Sequence, residues 1–437
     1  MMTCFYCKTD VSFRVDGDNS IKIVYFVGVK GMWNTAPFFL VMRFLAIGLR
    51  FVFMALFFKY SESLYGEFSL IVTTITLGIY VLGLDFYMYA GREILKSYAD
   101  YRLIWKKQMK FYLIVYLVLL PFFYLLFSLG FLSFNYILLF FPLLVAEHFS
   151  FEIYRLLFTV KAPFWANLNL FFRNGFWVLF ALIYYFLTGE MDIRAVLFFW
   201  LMGDVLAILC LWPVWRKKKL RFADEQPDWG WMVKGLKISL PFFVGTLAFK
   251  MIEWSDRYMI DYFLDKKTLG VYAFFGNISV LVNTVVYTAV VSILYPVLVE
   301  NIMQKNRQGF EEVFDSMKRK IIYYSMATVI LLIVVLPLLL IFLGKENYLE
   351  QMDVFYWLTG AQVLLVFSYL YHFVLYGFQM DKILVWSAIW AALINMILNL
   401  MWIPVWGMKG AALSTFFSVA ILMILKYNKA RKLLKGF

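Results

Sequence analysis

Residues 37–58 read PFFLVMRFLAIGLRFVFMALFF, an apolar run that contains no acidic residue and two arginines, Arg43 and Arg50. A helix needs about 20 mainly apolar residues to cross a hydrocarbon core of roughly 30 Å, so this stretch reads as a membrane span. The rest of the chain repeats the pattern. Of 437 residues, 63% are hydrophobic and only 16% charged, and the mean hydropathy is +0.77. Soluble domains carry about 25% charged residues, so a soluble globular protein is excluded. Counting apolar runs gives twelve spans, at 36–58, 66–90, 110–130, 135–159, 164–187, 195–215, 238–264, 269–297, 321–343, 354–377, 383–404 and 408–426. The expected class is an all-α integral membrane protein whose first partner is the lipid bilayer.

The 41 Lys and Arg outnumber the 28 Asp and Glu. With the N-terminus on the cytoplasmic side, thirty of the cations fall in cytoplasmic segments, six in outer loops and five within spans. That asymmetry is the positive-inside bias, which places both termini in the cytoplasm and removes any motive for a nucleic-acid partner. Residues 1–35 form a polar tail with no signal-peptide pattern. Met32 lies just before the first span, so a chain beginning there is a second reading of the tail.

An internal repeat divides the chain. Pro37-Phe38-Phe39 opens the first span and Pro241-Phe242-Phe243 the seventh; from each proline to Gly66 and Gly270 is 29 residues. Glycine then falls on glycine, with Tyr65-Gly66-Glu67-Phe68 facing Leu269-Gly270-Val271-Tyr272. The basic segment 216–237 reads as a cytoplasmic linker between bundles at 36–215 and 238–426, followed by a basic tail at 427–437. Six spans return the chain to its starting side. The two six-helix bundles are therefore expected to be related by a pseudo-twofold axis along the membrane normal, around a central cavity.

No metal site is expected: Cys4 and Cys7 are a lone pair, and His148 and His372 lie far away in apolar segments. The chain has no phosphate-binding Gly-x-x-x-x-Gly-Lys-Ser/Thr loop, so it carries no nucleotide cofactor site of that type.

Charge inside the membrane costs at least about 2.5–3.5 kcal/mol on insertion scales, so such residues face a partner or a wet cavity. Arg43 and Arg50 are seven residues apart, on one face at about 10 Å separation, with no acid in their own span. Lys250 and Arg257 repeat this spacing in the seventh span, where Glu253, Asp256 and Asp261 allow self-neutralisation. Arg173 in the fifth span has Asp204 in the sixth as its expected partner. Packing ion pairs account for Arg257 with Glu253 and Arg173 with Asp204 as readily as transport does. Arg forks also suit phosphate oxygens, so the five cations are the candidate substrate-binding residues. Asp85, Glu147, Asp204 and His372 are the candidates for carrying a coupling proton or sodium ion.

Several segments resemble a known family. Ser239-Leu240-Pro241, Ser255-Asp256-Arg257-Tyr258-Met259-Ile260 and Leu269-Gly270-Val271-Tyr272-Ala273 resemble the seventh-to-eighth-helix signature of Wzx-type polysaccharide-unit flippases, members of the multidrug/oligosaccharidyl-lipid/polysaccharide exporter superfamily. Ile403-Pro404-Val405-Trp406-Gly407-Met408-Lys409-Gly410-Ala411-Ala412-Leu413-Ser414-Thr415 is similar to the run into their last helix, and Tyr65-Gly66-Glu67-Phe68-Ser69 to the start of their second. The resemblance spans residues 36–430. It implies a non-enzymatic transporter of the bacterial inner membrane that moves an undecaprenyl-pyrophosphate-linked oligosaccharide, an O-antigen or capsule unit, to the periplasmic leaflet. By position, Arg43, Arg50, Lys250 and Arg257 match its cationic cavity residues. Polysaccharide polymerase and chain-length proteins are the implied partners. An ion-coupled drug antiporter of the same fold, and a membrane polymerase or glycosyltransferase, are the rival readings; the acid-free first span and the short outer loops weigh against them.

Overall fold

The computed structural model describes residues 11–15, 21–25, 36–212 and 228–437, with side chains from Leu45 onward. Cys4, Cys7, Met32 and the side chain of Arg43 lie outside the described residues. In the tail, Val11–Val15 and Ile21–Tyr25 pair as an antiparallel hairpin with Val11 opposite Tyr25. Both segments alternate apolar and polar residues over part of their length, a strand period that a reading of the tail as merely polar overlooks.

The remainder is helical. The first span is Ala36–Tyr60, the second Glu62–Gly83, the third Tyr101–Ser128, the fourth Ile137–Thr159, the fifth Pro163–Thr188 and the sixth Ile193–Leu209. The seventh is Trp229–Phe263, the eighth Lys266–Met303, the ninth Arg307–Leu343 and the tenth Met352–Gly377. Asp381–Leu434 forms the last two, divided at Gly407, whose φ of 58° and ψ of −143° only glycine adopts readily. The protein is a multi-pass membrane protein of twelve spans among the described residues.

Several boundaries depart from the apolar runs, the third span starting at Tyr101 rather than 110 and the last ending at Leu434 rather than 426. The second span stops at Gly83, because Leu84 and Asp85 both take left-handed backbone angles, and a separate short helix follows at Tyr87–Lys96. The seventh begins at Trp229, inside the stretch read as linker, and the ninth at Arg307, well before the apolar run at 321. Both extensions are charged, so hydropathy stops counting them, yet their backbone hydrogen bonds continue and asparagine or aspartate caps them. Asp228 accepts from the Trp231 amide at 3.0 Å, and Asn306 from Gly309 at 3.1 Å.

The repeat is visible in the caps as well. Ser61 accepts from the Leu64 amide at 3.3 Å to start the second span, and Asp265, the position equivalent to it, accepts from Thr268 at 2.7 Å to start the eighth. The connections between even and following odd spans lie on one side, called here the basic face. At the other, opposite face, the second and eighth spans cross closely enough to require glycine at Gly66 and Gly270.

Buried apolar side chains form two clusters. One fills the N-terminal bundle and continues into the opposite-face ends of the eighth to tenth spans; the other fills the basic-face half of the C-terminal bundle, around Val286, Phe310, Val374 and Leu422. The bundles are thus joined by a continuous apolar core at the opposite face.

Candidate functional site

The intramembrane charges separate into distinct groups. Within the N-terminal bundle, a turn of π-helix at Phe172–Phe176 in the fifth span carries Arg173. Such turns insert one residue and re-aim the side chains that follow. Small residues let the neighbours close around it: a methyl on Gly175 would meet Ala46 Cβ of the first span at 2.9 Å, and one on Gly203 would meet the Phe172 carbonyl oxygen at 2.7 Å.

The Arg173 guanidinium pairs with the Glu147 carboxylate of the fourth span and lies 4.7 Å from the centre of the Phe151 ring. Trp200 Nε1 donates to the second Glu147 oxygen at 3.3 Å, and the Trp200 ring stacks on Trp177 at 5.4 Å. Asp204, 0% exposed, adjoins Glu147, and neither of its oxygens accepts from a protein donor among the described residues. The expected Arg173–Asp204 pair is therefore replaced by Arg173–Glu147, because the π turn aims Arg173 at the fourth span. Arg50 lies 5.9 Å over the Trp177 ring, with Glu147 and Asp204 as its electrostatic neighbours and no ion pair of its own among the described residues.

Lys250 and Arg257 instead face the seam between bundles. Lys250, 0% exposed, donates to Glu253 at 2.5 Å and lies 4.8 Å from the Trp254 ring and 5.7 Å from Tyr80 of the second span. Arg257 donates to Ser69 at 3.2 Å and Thr73 at 2.9 Å, both on the second span, and to Asn277 Oδ1 of the eighth at 3.2 Å. Asn277 in turn donates to the Tyr65 hydroxyl at 2.8 Å. Next to this, Thr74 and Tyr258 share a hydrogen bond of 2.7 Å across the same seam.

The seventh span neutralises itself only in part. Glu253 is taken by Lys250, Asp261 by Lys266 at 2.7 Å, and Asp256 accepts from the Tyr272 and Thr415 hydroxyls. Arg257 is left hydrogen-bonding neutral groups. Rotamer geometry decides this, since spacing alone allows Glu253 either cation.

Asp85 sits buried in the left-handed break after the second span, with Thr246 of the seventh and Arg155 as its electrostatic neighbours. Arg155 itself pairs with Glu152 and is sandwiched between the Tyr87 and Phe151 rings at 3.5 and 4.1 Å. His372 is remote from both groups; its Nδ1 is buried without a partner, and Lys426 is its charged neighbour.

One cluster escaped the sequence reading. Ser255 donates to Asn395 Oδ1 at 2.9 Å and Asn399 Nδ2 to the same oxygen at 3.1 Å, while the adjacent Asp256 accepts from Thr415 at 3.2 Å. Asn399 Oδ1 has no partner among the described residues. Two asparagines four residues apart in an apolar span were the available signal, since one helical turn stacks them.

Two like-oriented bundles around a polar seam, with charged side chains at its walls, define a membrane transporter fold. Solved structures agree. The inward-facing conformation of a multidrug resistance MATE family transporter of the MOP superfamily superposes with TM-score 0.68 at 14% identity, covering 90% of this chain and 94% of that one. The lipid II flippase MurJ in an inward closed conformation gives 0.70 at 16% identity, covering 91% and 88%. An outward-facing MATE transporter gives 0.62 at 12%, covering 91% and 94%. Among curated proteins, none matches. Residues 34–302 match the profile of the polysaccharide biosynthesis protein family, and the chain belongs to that family.

Proposed function

We propose that this protein moves a lipid-linked oligosaccharide, carried on undecaprenyl pyrophosphate, from the cytoplasmic to the periplasmic leaflet of the inner membrane by alternating access. The observation that carries the reading is Arg257: a guanidinium at the seam between two bundles whose side-chain hydrogen bonds go to neutral hydroxyl and amide groups. An anionic pyrophosphate would be its counter-charge, with Lys250, Arg50 and Arg43 further along the route. Family membership and the greater likeness to inward-facing transporters support this. The thirty-to-six charge bias makes the basic face cytoplasmic. Closure at the opposite face fits a state on the inward side of the cycle. The sugar head would enter from the cytoplasm while the polyprenyl tail stays in lipid, which needs no polar contact.

The Glu147–Asp204 pair suits the coupling step. Two adjacent buried carboxyls beside Arg173 would give a coupling ion its counter-charge. This feature would serve a drug antiporter equally, so the cargo must be tested directly. In a strain lacking the gene, lipid-linked oligosaccharide should accumulate on the cytoplasmic leaflet and be cleared by the wild-type chain but not by Arg257→Ala present at the same membrane level. Clearance by Arg257→Ala at the wild-type rate would sink the anchor-binding role. Collapsing the proton and sodium gradients separately in inverted vesicles identifies the coupling ion. O-antigen or capsule units, and association with polymerase and chain-length proteins, are the pathway context this reading carries.

A further inference from the structure

The basic-face end of the C-terminal bundle holds a cavity of about 400 Å³, away from the seam between bundles. Its rim carries three cations: Arg307 from the first turn of the ninth span, and Arg431 and Lys435, one turn apart on the last helix. Its walls are Tyr371 of the tenth span, Tyr427 of the twelfth and Phe314 of the ninth. Tyr371 and Tyr427 meet edge to face at 5.0 Å, and Phe314 lies 6.4 Å from Tyr371. Among the described residues, no acid lines the space. Arg307 Nε donates to Glu311 at 2.9 Å, which leaves its two terminal nitrogens outside that bond. Next to these tyrosines in sequence, Lys426 is 3% exposed and makes no ion pair, and His372 Nδ1 is buried and unpartnered, among the described residues.

Like charges from two helices converge on one hollow. That arrangement is unfavourable when empty and is relieved by an anion with several acceptor oxygens. Aromatic walls below a cationic rim match a phosphate whose attached group continues into apolar surroundings, at the depth where headgroups lie beside the end of a span.

We propose that this cavity is a phosphate-binding site, separate from the transport route, that takes a phosphate-bearing anion between the ninth and twelfth spans. The inference does not rest on the transport function above. Its ligand is either the headgroup of an anionic phospholipid or free phosphate, and the two are separated by experiment. The full chain is placed in phosphatidylcholine nanodiscs, in one arm with phosphatidylglycerol added and bound lipid read by native mass spectrometry, in the other titrated with inorganic phosphate and read by thermal unfolding.

Removing both rim cations on the last helix, Arg431→Ala with Lys435→Ala, should weaken binding about thirtyfold in whichever arm is the true source, at roughly fivefold per charge. Lys318→Ala with Arg319→Ala makes the same change in net charge on exposed residues outside the cavity and should have a several-fold smaller effect. Tyr427→Phe, which alters no charge, should cost severalfold by removing a donor. All these positions are at least partly exposed, so the variants should fold. Equal effects of the two charge pairs in both arms, with no effect of Tyr427→Phe, would overturn the site.

Discussion

Gly66 and Gly270 pack reciprocally across the middle of the molecule. A methyl group on Gly66 would come within 1.9 Å of the Lys266 carbonyl oxygen, and a methyl on Gly270 within 1.9 Å of the Glu62 carbonyl oxygen. Each glycine thus faces the residue four positions before the other. That is the signature of a twofold contact between equivalent helices. The contact is flanked by Phe58 of the first span stacked on Phe274 of the eighth at 4.1 Å, and by Glu62 accepting from Lys345 at 2.7 Å and Tyr348 at 3.1 Å.

Gly66→Ala or Gly270→Ala should prevent closure at the opposite face, since no side chain can yield when the obstacle is a backbone carbonyl. Transport should fall at least about tenfold, and a cysteine replacing Asn277 should react faster with an impermeant maleimide from that face. Unchanged labelling would mean that the helices part elsewhere. Gly48, which has open space around its missing Cβ, is the control: Gly48→Ala should be silent.

Arg173→Met should destabilise the protein by roughly 3–5 kcal/mol, because it leaves Glu147 buried beside Asp204 without its cation. Adding Glu147→Leu should restore much of the loss, as the double replacement removes the unpaired charge. Unfolding in detergent by heat or denaturant measures the cycle; additive losses would show that the pair is not coupled.

Arg50→Ala should abolish surface polysaccharide while the chain remains in the membrane. Arg50→Lys should rescue it only partly, because an ammonium cannot present the planar fork of a guanidinium to phosphate oxygens. Full activity of the alanine variant in complementation would exclude Arg50 from the route.

At the basic face, Lys107 of the third span donates to Asp228, just before the seventh, at 2.8 Å. That hydrogen bond, followed by the one from the Trp231 amide, holds the Asp228 carboxyl below the usual carboxylate range. A carboxyl depressed on folding contributes stability above its unfolded pKa and loses it as pH falls through the folded value. The tie should therefore be intact at neutral pH and weaken only on strong acidification. Asp228→Asn should mimic that loss at pH 7, seen as faster amide exchange at Trp231 and Met232.

Much of this architecture was legible in the residues. The offset that carries Pro37 to Pro241 and Gly66 to Gly270 also carries the cap Ser61 to the cap Asp265, and the two glycines it pairs are the ones in contact. Apolar run length located the spans because the bilayer sets one thickness for all of them. It misplaced the starts of the third, seventh and ninth, where the helix continues beyond lipid on charged residues.

What the sequence determined by itself is whatever depends on composition along the chain: a membrane protein, two equivalent halves, and a sided distribution of charge. Which ionisable groups meet was decided by tertiary structure alone. Arg173 finds Glu147 rather than Asp204 through a π turn, Glu253 chooses Lys250 over Arg257 through rotamers, and Asp256 joins Thr415 across 159 residues. Helix rotation and side-chain direction set such contacts, and neither is encoded in spacing within one span.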